Sequence, residues 1–186
     1  MILELNEVLI DGEQRTLSMI AESGRLTCLT GGDAERLTRW LWTIMGFTAL
    51  SHGFVSVDGE PITERSASLF RQLMSFAPHR LERVGQVTPY EPPSVQDVFN
   101  LKANREQPIS NGILGEEIKR IGVDSVDQSV QLLAVAVLLD KPILLVDNPP
   151  VEVAHYLSMQ AAKGRIVLVT SNETAILNAS DQVIEI

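Results

Sequence analysis

The residues that most constrain this chain are 25–46, Arg-Leu-Thr-Cys-Leu-Thr-Gly-Gly-Asp-Ala-Glu-Arg-Leu-Thr-Arg-Trp-Leu-Trp-Thr-Ile-Met-Gly. Residues 26–30 read as a short apolar strand, Gly31-Gly32 as a turn, and 34–45 as a helix opened by Asp33. A strand, a glycine turn and a helix N-terminus together form an anion cradle, because the first helical N–H groups lack intrahelical acceptors and point outward. Here the chain supplies its own anions. Asp33 is a good N-cap, and Glu35 falls in the first turn, where the helix dipole favours a carboxylate. A phosphate-gripping loop of the G-x-x-x-x-G-K-[ST] kind needs open backbone amides and a lysine. This stretch has the scaffold of such a loop without its charge.

The rest of the chain reads as strands and helices around that stretch. Residues 1–10 alternate as a strand, Asp11-Gly12 is a hairpin signal, and the return strand covers 15–21. In helix 34–45, Leu37, Leu41 and Ile44 share a face with Trp40 beside them, and Trp42 and Met45 lie towards another side. The tryptophans are expected as packing residues. Strand 53–59 ends in Asp58-Gly59, 63–71 is a short helix, and 72–77 is a strand stopped by Pro78. The region 78–94 is a proline-bearing loop, with 89–93 and Tyr90 as a possible docking element. Helices follow at 94–101, 113–121 and 126–139, the last capped by Ser125. The apolar runs 142–147 and 165–170 are of the kind buried on both faces of a parallel sheet. They alternate with helices at 151–162 and from Asn172, and a strand at 182–186 closes the chain. This alternation implies an α/β fold: a mainly parallel sheet covered by helices on both faces, with an antiparallel N-terminal portion.

Composition narrows the function classes. A formal charge of −9 disfavours a nucleic-acid partner, which needs a basic face to release counterions. The apolar fraction of 45% is that of a globular domain, and the 186 residues suit a single one. No apolar run is long enough to span a bilayer, so direct membrane insertion is not expected. The first residues form a strand pattern rather than a signal segment, and Cys28 stands alone in mid-strand; both suggest a reducing, cytoplasmic setting. His52, His79 and His155 lack metal-ligand spacing, and no Gly-x-Ser-x-Gly elbow is present.

Gly46, the stretch 51–59, Ala77-Pro78-His79, and segments 94–101, 134–139, 143–150 and 167–172 share one order and spacing. Together they resemble the nucleotide-binding domain of ABC transporters over essentially the whole chain. The resemblance implies a P-loop NTPase-like fold over 1–186, with a small helical subdomain inserted at about 88–131. Registered on Gly46 and Gly53, it makes Gly31 and Gly32 the start of the phosphate loop. Ala34 and Arg36 then replace the later glycines, Leu37 replaces the lysine, and Thr38 keeps the magnesium-binding hydroxyl. Asp147 keeps the Walker B magnesium position, Asn148 replaces the glutamate that activates water, and Ser171 replaces the switch histidine. His79 stands at the Q-loop position, and residues 125–129, with Asp127 and Gln128, at the signature motif. The family's D-loop is missing, with only about fourteen residues between Pro150 and Arg165.

A methyl at 34 and a guanidinium at 36 obstruct approach of phosphate to backbone, and leucine supplies no charge. An amide at 148 orients water but takes no proton. Asp127 also places a carboxylate in the first turn at the second phosphate site. Arg36 and Arg39 are expected to pair with Asp33 or Glu35 on the surface. The expectation is therefore a degenerate cassette, a pseudo-ATPase without cofactor. Its role would be structural or regulatory beside an ATPase-competent homologue, a homodimer mate or a transporter membrane domain, peripheral at the inner membrane through that partner. The alternative is a divergent ATPase holding Mg-ATP through Thr38, Asp147 and an arginine. A binding module for another ligand at the strand ends has no specific support.

Overall fold

The computed structural model describes residues 1–80, 109–123 and 127–186. Two sheets organise them. The first is antiparallel, in the order β2-β1-β4-β5, from β1 (Ile2–Leu9), β2 (Leu17–Glu22), β4 (His52–Val57) and β5 (Glu60–Pro61). The second is parallel, in the order β6-β7-β8-β3-β9, from β6 (Met74–Ala77), β7 (Ile143–Asp147), β8 (Ile166–Thr170), β3 (Leu26–Thr30) and β9 (Gln182–Glu185). The expected α/β class and both sheet types are present.

Side-chain alternation explains the layering. Ile143, Leu145, Ile166 and Leu168 face one core with α1 (Ala34–Ile44) and the inner face of the antiparallel sheet. Leu144, Val146, Val167 and Val169 face a second core under α3 (Asn111–Ile121), α4 (Gln128–Leu138), α5 (Ala154–Ala162) and α6 (Thr174–Ala179). Successive strand residues point to opposite faces, so an unbroken apolar run serves two cores at once. Helix α1 is therefore held between the two sheets, with Leu37, Trp40, Leu41 and Ile44 buried as expected. Met45 joins this same core rather than another side, because the helix is covered from both directions.

Local details differ from the sequence pattern where side chains have better partners elsewhere. The helix expected over 63–71 shortens to α2 (Ala67–Phe70) and a tighter turn over Arg71–Leu73. Thr63 and Ser66 bond each other and the local backbone instead of extending the helix. Strand β2 starts at Leu17 rather than at 15, so the β1–β2 loop is longer than a two-residue hairpin. Strand β1 is bulged around Glu7, whose φ is +47°, and both pairings of β1 shift register there. Gly53 faces this bulge at φ +76°; a Cβ on it would lie 2.3 Å from the carbonyl oxygens of Asn6 and Glu7. Only glycine fits that crossing. The expected 89–93 docking loop, the helix 94–101, the Ser125 cap and most of the 88–131 subdomain lie outside the described residues. No helix among the described residues is long and apolar enough to cross a membrane.

Candidate functional site

All strands of the second sheet run parallel, so β3, β6, β7 and β8 release their loops at one edge, where α/β sheets carry their sites. The register sets Leu29 beside Thr170, Asp147 beside Thr170, and Ala77 beside Val146. Asp147, 1% exposed, is the innermost polar group there. Thr38 Oγ1 lies 2.9 Å from both Asp147 carboxylate oxygens and 2.8 Å from the Ala34 carbonyl. Thr170 Oγ1 donates to Asp147 Oδ1 at 3.1 Å, and Asn148 Nδ2 donates to the same oxygen at 2.8 Å. A carboxylate this deep is costly unless its lone pairs are matched by donors, and all three side chains donating here are neutral. Thr38 and Asp147 are the oxygen donors a divalent cation would use, and they are bonded to each other.

Asn148 adopts φ +42° directly after the strand. Its N–H donates to the Thr170 carbonyl at 3.0 Å and Thr170 Oγ1 at 3.1 Å, and its side chain turns back onto Asp147. His79 Nδ1 lies 2.8 Å from the Asn148 carbonyl. A carbonyl only accepts, so Nδ1 carries a proton. A crevice of about 370 Å³ joins His79, Asp127, Asn148 and Ser171 to Ser129 and Asn172. Four positions named from sequence thus meet in one place. Asp127 is the N-cap of α4 rather than a first-turn residue: Oδ1 accepts from the Ser129 N–H at 2.8 Å and Ser129 Oγ at 2.7 Å. Gln128 is the exposed first residue of α4 and does not border the crevice. Ser171 is buried, and its Oγ accepts from the Glu173 N–H at 3.1 Å.

The glycine turn forms a second group. Gly31 takes φ +99°, and its N–H donates to Asn172 Oδ1 at 2.9 Å. Thr30 Oγ1 donates to the same oxygen, and Asn172 Nδ2 donates to the Gly32 carbonyl at 3.0 Å. Asn172 therefore ties the turn to the end of β8. It does not cap the next helix, which begins at Thr174. Asp33 is the N-cap of α1, accepting from the Arg36 N–H at 2.8 Å, and Glu35 is in the first turn, as read from sequence.

Leu37, which the resemblance sets at the lysine position, is 0% exposed and belongs to the core between the sheets. The expected arginine pairings are corrected. Arg36 grips Glu13 of the β1–β2 loop with both arms of its fork, Nε to Oε1 at 2.8 Å and Nη2 to Oε2 at 2.5 Å, and Nη1 donates to the Ile186 carbonyl. Arg39 donates to the Asp11 carbonyl. Glu13 is the better partner because bidentate geometry needs a carboxylate facing the fork, whereas Asp33 is already spent on backbone. The hydrogen bond from Arg36 holds the Glu13 carboxyl below its ordinary range, and the same bond raises Arg36 above its own. Thr170 was legible as the residue opposite Asp147 once strands are registered; Glu13 and Asn172 left no local signal.

No protein-family model matches the chain, and neither does any curated protein sequence. Solved structures do. A putative ABC transporter ATP-binding protein from Pyrococcus furiosus is 18% identical with a TM-score of 0.73, covering 100% of this chain and 97% of that one. A bacterial ABC transporter cassette solved as a dimer is 12% identical at 0.71, covering 99% and 94%. The cbiO1 protein of Clostridium perfringens, part of an ABC transporter complex, is 13% identical at 0.66, covering 98% and 83%. At these identities the likeness carries the fold: this chain has the P-loop NTPase-like architecture of an ABC transporter ATP-binding cassette.

Proposed function

We propose that this cassette has given up ATP turnover and serves as a structural or regulatory subunit. Its partner would be an ATPase-competent homologue, a second copy or a transporter membrane domain, which would hold it on the cytoplasmic side of a membrane. One observation carries the reading: Leu37, which the resemblance sets at the phosphate-lysine position, is fully buried, and the neighbouring cation, Arg36, is already clasped by Glu13. Phosphoryl groups need a preorganised positive site, and a buried alkyl chain offers none. The residues present therefore do not fit magnesium and a nucleotide. Asp33, Glu35 and Asp127 occupy both helix N-termini, and Asp147 is satisfied by neutral donors. Like charges about 4 Å apart cost about 1 kcal/mol in water and several times more when partly buried, so a polyphosphate is repelled.

The test is the melting temperature with and without millimolar Mg-ATP, together with phosphate release. A ligand at 100 times its Kd stabilises by about 2.7 kcal/mol, or roughly 5–10 °C for a domain of this size. The expected shift is under ~1 °C, since binding is negligible. A full shift with steady turnover that Asp147→Ala abolishes would sink the proposal.

The second reading, a divergent ATPase, draws on one observation: Thr38 and Asp147 are still in contact at 2.9 Å. It requires Thr38→Ala and Arg36→Ala each to weaken nucleotide binding.

A further inference from the structure

Arg36 borders two clefts. One, of about 550 Å³, lies along α1 with Asp33, Thr38, Arg39 and Trp42. The other, of about 650 Å³, lies between the β1–β2 loop and α1, with Glu13, Arg15, Trp40 and Glu185 on its walls. Three features of the second cleft belong together. The Glu13 carboxylate, 6% exposed on its side chain, fills both arms of the Arg36 fork. The Arg36 side chain is folded back over the glycine turn, so that a Cβ on Gly32 would sit 2.6 Å from its Cδ. Trp40, 1% exposed, borders the same cleft, and its indole N–H has no acceptor among the described residues. An indole N–H can only donate, and buried donors are normally matched.

We propose that Glu13 is an internal plug: its carboxylate stands where a phosphate-type oxyanion would meet Arg36, and it closes the cleft between the β1–β2 loop and α1 to such ligands. The inference rests on the preceding reading, that this helix end takes no nucleotide phosphate. Carboxylate and phosphate compete for the same planar fork of donors, because both present two oxygens at matching separation. Glu13 is attached to the chain, so its effective concentration at Arg36 is in the millimolar range or above, and weaker external anions lose. Arg15, exposed on the cleft wall, would add a second cation to the donor set once the plug is withdrawn.

The experiment titrates sodium tripolyphosphate into wild type, Glu13→Gln and the Glu13→Gln/Arg36→Gln double variant by calorimetry at constant ionic strength. The expected result is at least about ten-fold tighter binding by Glu13→Gln, a difference of ~1.4 kcal/mol, and return to wild-type behaviour in the double variant. Cooperatively folded Glu13→Gln that binds no tighter than wild type overturns the plug, as does a double variant that keeps the gain. Should Glu13→Gln not fold, the ¹⁵N resonance of the wild-type Arg36 Nε–H decides. It is expected to stay in place up to ~10 mM tripolyphosphate, and a saturating shift overturns the proposal. Steady Mg-ATP turnover by wild type would sink the pseudo-ATPase reading itself. Silence of both wild type and Glu13→Gln would sink only the plug.

Discussion

Tyr156→Phe removes one hydroxyl from the joint between α3 and α5, and its cost can be worked from the contacts. Glu117 is buried under α3 with its side chain 6% exposed, and Tyr156 of α5 donates its hydroxyl to Oε1. Arg120 donates to Oε2 at 3.0 Å, but that side chain is 72% exposed, so solvent screens the pair and it is worth under ~1 kcal/mol. The tyrosine is thus the main stabiliser of a desolvated carboxylate. Burial, and then the bond to Glu117, push the Tyr156 phenol far above its ordinary 10.0, consistent with a hydroxyl that keeps its proton. Losing a hydrogen bond to a buried charged group costs about 1.5–3 kcal/mol. For a domain of this size that is a fall of roughly 3–12 °C in Tm. Thermal denaturation of wild type, Tyr156→Phe, Glu117→Gln and the double variant gives the coupling directly. The double variant is expected to recover part of the loss, because a neutral amide needs the donor less. A Tyr156→Phe protein melting within ~1 °C of wild type, or a pair coupling near zero, would refute the reasoning.

Two further outcomes follow from the same geometry. Gly53→Ala forces a Cβ against two backbone carbonyls at φ +76° and should cost roughly 3 kcal/mol or more, read as a lower urea midpoint with unchanged slope; unaltered stability would contradict the tight crossing of β1 and β4. Glu13 has its folded pKa held below the ordinary 4.5, so its contribution is present above that value and is lost as pH falls through the depressed one. Wild type should lose stability more steeply than Glu13→Gln below pH about 4.5, the two converging at the acid end; parallel profiles would show that the pair contributes nothing.

Much of this protein was legible in its residues. The apolar runs 142–147 and 165–170, the glycine turn and Asp33 sufficed for strand, turn and helix, because those signals are local: backbone preferences, capping and two-residue alternation. The positions of His79, Asp127, Asn148 and Ser171 were marked in advance by the resemblance to the cassette family, and parallel strands then had to deliver their loops to one edge, where those four meet. Leu37 cannot become a cation in any fold, so the sequence by itself leaves no lysine where the resemblance sets one. Only the tertiary structure decided how the remaining groups are spent. Asn172 looked like the start of a helix and is a clasp on the glycine turn. Arg36 looked like a surface partner of Asp33 and is held by Glu13, 23 residues earlier in the chain. The physical reason is that a hydrogen-bonding group takes the partner with the best geometry in space, and the packing of α1 between the two sheets, not the ion pair, meets the loop-closure entropy that brings distant residues together.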